Sequence, residues 1–546
     1  MRSVRPNIKN GFSAASTFIV ASFSAAAAND QNIEAVLSNL PASASATYTA
    51  LYDAAGRPRR EILDMTKAEV WSIPAEKWDG VAAAAAAAGV QLGRLDDSWN
   101  HALRPMADSV PMTDAQKSMM HEAMESKAAV GMAMMALPTA SLTEYALTKG
   151  MHAGDPAAPQ PQLIIPISNG NSITVRRTHV APIAGGYTWH GVVEETGEPV
   201  TLLWWPSGKM SGSVTYHNHK FAVRDFGGGM HAIIEMKPEG FPVEHAPMGP
   251  EMMKKMHLDE DPLVKHGDAS MLMAEPKKKV PSPAPNAAPD REHTRNQEDA
   301  APTQLALAVP EPYHITQTRP VADEKFEPAN IRLIVAYTKA AARHYSNIAT
   351  DLIPLAIEEA NESFRNSGIS NVTLELAYTY MTGYVESGSH FDHVFRFADK
   401  GDGYMDEVHA LRDQYKADVG VLIVDDPHGC GLSAEVYARP ERAFAVVHHE
   451  CAANMYSLAH EIGHLIGARH DEALDDSKQP FAFGHGFVFG KSWRTMMSYK
   501  DSCDGCPRIP VWSSPAVMVN GVPAGNADSN NARVIAQEAT RVAKFR

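Results

Sequence analysis

His460, Glu461, His464, Gly467 and His470 stand in the run H-E-I-G-H-L-I-G-A-R-H-D over residues 460–471. Histidines four apart project from one face of a helix, so the imidazoles of His460 and His464 can hold one metal ion between them. Glu461, beside the first, is placed to act on a water and not on the metal. Gly467 then ends the helix, because glycine readily takes the left-handed backbone that a helix C-terminus needs. The turn brings His470 back as a third ligand. Three neutral nitrogens leave one position of a tetrahedral zinc open, which is the arrangement of a catalytic site. Such a zinc lowers the pKa of water to about 7 and polarises a peptide carbonyl. Glu461 would take the water's proton and pass it to the leaving amine.

The elements that must position these residues lie in the last 220 residues or so. Apolar periodicity places strands at 331–337, 372–380, 418–424 and 443–449, the last of them a sheet edge to which substrate backbone could add as an extra strand. Helices are expected at 351–365, with Asp351 near the start, at 403–415, at 455–466 for the candidate ligands, and at 530–545. Residues 471–529 read as irregular. Upstream, 162–236 breaks into short alternating strands split by Gly, Pro and Asn turns, the pattern of an antiparallel sandwich or barrel. Residues 29–160 are rich in Ala and Met with helical spacing, including seven consecutive alanines within 81–89 and a methionine stripe at 117–135. Between these regions, residues 240–325 collect Pro, Met, Lys and Ala without periodicity and are expected to form a mobile linker open to activation cleavage.

Composition narrows the function further. Across 546 residues the net charge is −15, which argues against nucleic acid or an anionic membrane surface as a partner. Arg2, Arg5 and Lys9 precede a small-residue apolar stretch at 11–28 that ends in Ala26-Ala27-Ala28. That is the pattern of a cleaved export signal, so the product is expected to be secreted, or periplasmic in transit, with no membrane contact after cleavage. All four cysteines, Cys430, Cys451, Cys503 and Cys506, surround the zinc motif. In an exported chain they suggest two disulfides with three possible pairings; a structural zinc site is the alternative. Asp471, Glu472, Asp475 and Asp476 are candidate Ca2+ ligands, although a solvated acidic loop is the plainer reading. His448, His449 and His485 flank the site and read as structural or substrate-lining.

H-E-x-x-H alone also fits an amphipathic helix with surface histidines. Gly467, His470 and the downstream run Thr495-Met496-Met497-Ser498-Tyr499 make the pattern specific, and together they resemble the metzincin clan of zinc endopeptidases. The match tightens over Cys430-Gly431-Leu432, 443–448, Gly484-His485-Gly486-Phe487, 493–499, 503–508, Trp512-Ser513-Ser514-Pro515 and 530–534. These segments resemble the bacterial peptidyl-Asp metalloendopeptidases over residues 330–546. The resemblance implies an α+β fold: a catalytic domain with a mixed twisted sheet, a zinc helix and an irregular lower subdomain. A helical segment and a β-rich propeptide-like domain would precede it. The expected organisation is a signal at 1–28, a helical pro-region at 29–160, the β-rich domain at 161–239, a linker at 240–327 and the protease at 328–546.

By the same resemblance Met497 is the Met-turn methionine, a packing floor under the histidines. Tyr499 becomes a fifth ligand or a transition-state donor, with a merely packed tyrosine as the alternative. Asp471 is structural. Cleavage on the amino side of Asp and related acidic residues is implied. A buried substrate carboxylate then requires a cationic partner. Arg494, Lys500 and Arg508 are the candidates, with Arg508 first because a guanidinium can grip a carboxylate with two parallel hydrogen bonds. A broad-specificity metzincin and a non-hydrolytic zinc-binding module are the competing functions. No cysteine precedes Cys430, so the propeptide, expected as an inhibitor, would have to block the site sterically or with a group such as Asp259, Asp261 or His245.

Overall fold

The computed structural model describes residues 111–136, 162–183, 186–205, 208–244, 314–318 and 326–546, and strands Ser16–Ser22, Ala68–Pro74, Gln91–Leu95 and Arg104–Pro105. The alanine run at 82–88, the candidate latency groups Asp259, Asp261 and His245, and most of the proposed signal lie outside these residues. Within the proposed signal, Ser16–Ser22 pairs as a strand with Ala68–Pro74 and Gln91–Leu95. Among the described residues no helix is long and apolar enough to cross a membrane.

The larger N-terminal sheet is nine-stranded and antiparallel. Its strands are β1 (Arg104–Pro105), β2 (Ala129–Ala136), β3 (Gln162–Pro166), β4 (Ser172–Ile183), β5 (Gly186–Val193), β6 (Pro199–Trp204), β7 (Met210–Tyr216), β8 (His219–Gly227) and β9 (Met230–Met236). They run in the order β1-β2-β9-β8-β7-β6-β5-β4-β3, a meander that curls until its ends meet: the Ser168 hydroxyl after β3 donates to Glu235 on β9 at 2.6 Å. Alternate residues give the sheet two buried faces. Val175, Trp189, Leu202, Trp204, Val214 and Val223 form one core on the sheet's own face. The opposite face supplies Leu203 to the protease core and packs Ala222 and Ile234 near Cys430, Cys451 and Met455. The curled sheet therefore covers its own inner face, and the protease domain packs on the outer one. The methionine stripe is also only partly helical. Helix α1 (Asp114–Glu125) has a Thr113/Gln116 capping box, and the chain then becomes β2, which pairs with β9. Partnering with a free sheet edge overrides the helical spacing of those methionines.

In the protease domain β10 (Ile315–Gln317) pairs with β16 (Ser514–Val519), which pairs with β17 (Val522–Ala524). Residues 240–244 and 314–318, which fall within the expected linker, belong to the described structure. The main sheet contains β11 (Ala329–Tyr337), β12 (Val372–Met381), β13 (Val419–Val424), β14 (Gly431–Ser433) and β15 (Phe444–His448), in the order β12-β11-β13-β15-β14. The first four of that order are parallel and β14 is antiparallel. The edge beside the motif is therefore β14, not the expected 443–449 segment, which lies inside the sheet as β15. The longer helices of the domain are α2 (Ile353–Asn366), α3 (His390–Ala398), α4 (Glu407–Tyr415), α5 (Ser457–Ile466) and α6 (Asn531–Val542). Every residue of α5 is buried, His460, Glu461 and His464 included.

Candidate active site

Helix α5 carries His460, Glu461 and His464, and Gly467 caps it at φ +132°. A Cβ at Gly467 would meet Tyr437 at 3.0 Å, so the turn that brings Arg469-His470 back depends on glycine twice over. His464 Nε2 lies 2.8 Å from His470 Nε2, and His460 Nε2 lies 3.3 Å from the same atom. Ligand nitrogens of one tetrahedral zinc stand roughly 3.3–3.4 Å apart, so the three rings converge at nearly that spacing. Their orientation is enforced from behind. His460 Nδ1 donates to the Met496 carbonyl at 3.0 Å and His464 Nδ1 to the Ala468 carbonyl at 2.9 Å. A carbonyl only accepts, so both rings carry their proton on Nδ1 and turn a lone pair toward the shared point. The donor set fits a zinc ion.

Met497 packs against α5. A Cβ on Gly463 would come within 3.1 Å of its sulfur and 2.6 Å of the Trp512 ring, so the motif's middle glycine lets α5 settle on this floor. The Tyr499 ring packs on His470 at 4.3 Å between centroids. Burial holds its phenol well above the usual value, so it is a neutral hydroxyl. Asp471 accepts from Tyr499 N at 3.0 Å and Ser502 Oγ at 2.7 Å, a structural use. The neighbouring carboxylates go elsewhere: Glu472 pairs with Lys478 and Asp475 with Arg469. His485 Nδ1 donates to the His470 carbonyl at 2.9 Å and steadies the third ring's backbone.

Glu461 is shaped by residues that spacing alone does not reveal. The Ser433 hydroxyl donates to its carboxylate at 2.7 Å, and a Cβ at Gly431 would fall 2.5 Å from the same group. Burial pushes this carboxyl up to about 8, with Ser433 and Arg508 pulling against it. A cation held by the adjacent imidazoles would favour the carboxylate further.

Of the three candidate cations, Arg494 and Arg508 come together. Both guanidiniums donate to the Ser498 carbonyl at 3.1 Å, Arg494 also to Cys506 O at 2.8 Å, and Arg508 to Met455 O at 2.9 Å. Their side chains are only 2% and 4% exposed, so each is dry enough for its charge to demand a partner. Among the described residues, Glu244 is the one carboxylate paired with either of them. Lys500 enters differently from its expectation: its backbone N–H, not its ammonium, donates to Glu244 Oε2 at 3.0 Å. The cysteines pair as Cys430–Cys451 and Cys503–Cys506, and the second bridge closes the loop between Lys500 and Arg508.

A buried helix presenting two histidines, a third histidine from the following turn and a methionine floor define a metallopeptidase centre. A family model described as Metallo-peptidase family M12 (Reprolysin_5) matches residues 327–513. The chain is 44% identical over 221 residues to a peptidyl-Asp metalloendopeptidase of Xanthomonas campestris pv. campestris, covering 40% of this chain and 52% of that protein. It is 33% identical over 190 residues to one of Pseudomonas fragi, covering 34% of this chain and 100% of that protein. The chain therefore belongs to the M12 metallopeptidases, among the bacterial proteins named peptidyl-Asp metalloendopeptidase. It spans about half the length of the first relatives it matches. A metalloproteinase-II structure from Bacteroides fragilis aligns at 11% identity over 64% of this chain and 87% of that one. Its TM-score is 0.30, too weak a likeness to argue from.

Proposed function

We propose that the chain is an exported zinc endopeptidase that cuts on the amino side of Asp and related acidic residues. The observation that carries this reading is the pair of buried arginines, Arg494 and Arg508, presented with the Lys500 N–H to a single carboxylate beside the histidine cluster. His460, His464 and His470 would hold the zinc, which supplies Lewis acidity to the water and the scissile carbonyl. Glu461, oriented by Ser433, takes the proton from the attacking water and returns it to the departing amine. Tyr499, as a neutral phenol against His470, can donate to the carbonyl oxygen as negative charge builds there. Substrate backbone would lie along β14, whose Gly431 gives it access to Glu461.

The test is digestion of a protein of known sequence by wild type and Glu461→Ala, with every new terminus identified by mass spectrometry. Termini beginning with Asp, present only with wild type and abolished by a chelator, are expected; scattered termini would remove the acidic preference. Replacing Arg508 with Ala should lower cleavage before Asp by about 10- to 100-fold relative to other sites. An unchanged preference would sink the pocket assignment.

A further inference from the structure

The carboxylate in this pocket belongs to the chain itself, and it comes from the segment that leaves the N-terminal sheet. Strand β9 ends at Met236, and the turn Pro238–Gly240 follows. Gly240 lies so close to Ala128 that a Cβ there would approach its Cα to 2.4 Å. Phe241 is buried among Ala128, Met236, Cys430, Cys451 and Met455, which anchors the segment on both parts of the molecule. Val243 O then accepts from Cys430 N at 2.7 Å, and Glu244 receives Arg494, Arg508 at 3.3 Å and the Lys500 N–H at 3.0 Å. The chain is thus tied at one end to the residue before β14 and at the other to the residue after Tyr499. Its path runs beside Gly431, which touches Glu461, and beside Tyr499, which packs on His470. Every ion-pair partner of Glu244 is roughly 250 residues ahead in the sequence, and none lies in the sheet from which it emerges.

We infer that Glu244 is a built-in surrogate for the acidic residue of a substrate, and that residues 241–244 keep the uncut chain latent by filling the acidic-residue pocket. The inference rests on the protease reading above and adds its regulation. The physical logic is economical: a pocket designed to desolvate a carboxylate leaves two buried cations uncompensated until one arrives. An internal glutamate at high effective concentration fills it before any substrate can. Latency then needs no cysteine.

The experiment compares the full-length wild type with Glu244→Gln, which keeps the shape but removes the charge, and Glu244→Asp, which keeps the charge. Two quantities are read: hydrolysis of a quenched peptide containing one Asp, and hydrogen exchange at the Lys500 amide, which does not depend on zinc loading. Glu244→Gln should raise hydrolysis by the uncut chain roughly 100-fold and speed Lys500 exchange, while Glu244→Asp stays close to wild type in both. Unchanged exchange at Lys500 in Glu244→Gln overturns the latch. So does a silent Glu244→Gln when wild type trimmed with trypsin until Glu244 is lost hydrolyses the peptide; that result leaves the protease reading intact. If no form hydrolyses it, the trimmed one included, the protease reading falls and the latency with it.

Discussion

Two clusters in the protease domain offer a cation similar donors. His460, His464 and His470 form one; His344, Asp425 and His449 form the other, and in each the ligand atoms lie within 4.8 Å of one another. What lies behind the donors separates them. In the first, backbone carbonyls take the Nδ1 protons of His460 and His464, so the Nε2 lone pairs converge and no carboxylate belongs to the trio. In the second, Asp425 holds His449 at 3.1 Å and His344 at 3.2 Å, and its charge is balanced by Arg343 at 2.8 Å. Tyr345 Oη lies 3.2 Å from the remaining His449 nitrogen. Burial drops His449 to about 3, so it is an uncharged donor at neutral pH. In the second cluster Asp425 and both nitrogens of His449 already have partners, and a metal would have to break those contacts. Proximity of donors does not make a metal site; the prior commitments of those donors decide.

The strongest way to test this contrast is to remove one member from each cluster. His464→Ala should abolish both bound zinc and hydrolysis. Glu461→Gln should keep the zinc and lose about 10²–10⁴-fold in rate. His449→Ala should leave zinc content unchanged and cost about 1–3 kcal/mol of stability, read from chemical denaturation. A fall in zinc content for His449→Ala would break the comparison.

Acid should then separate the two. The ordinary histidine value is 6.5 and that of His449 in the fold is about 3, so folding selects its neutral form. Its contribution is therefore complete above about pH 6.5 and is lost as pH falls toward 3, by at most about 1.4 kcal/mol per pH unit. The difference in Tm between wild type and His449→Asn should shrink over that range. A difference that stays constant would mean His449 is not held neutral.

The smallest effect is expected at the rim. Arg343 is 58% exposed, so Arg343→Ala should cost less than about 1 kcal/mol. A larger loss would show that the guanidinium, and not the imidazoles, holds Asp425.

The features legible in the sequence were those with a local cause. The i,i+4 histidines, the Gly467 stop and the buried apolar run that became β13 all depend on neighbours in the chain, and the helix and strand positions agree with them to within a few residues. Helix α3 was missed because H-F-D-H-V-F-R-F-A carries its apolar face on aromatics mixed with charges. Strand β14 was missed because three residues are too short to show a period.

By itself, the sequence determined the candidate ligand set, the glycine turn that returns His470, the methionine floor and the presence of basic residues near the pocket. Tertiary structure alone decided that Arg494 and Arg508 share the Ser498 carbonyl, that Lys500 contributes its amide, which cysteines pair, and that Ser433 steadies Glu461. It also brought Glu244, one acid in a Pro- and Met-rich stretch, to two arginines roughly 250 residues away. Helical periodicity is written into adjacent residues. The meeting of a distant acid with a buried cation is settled only when two packed surfaces exclude water around both.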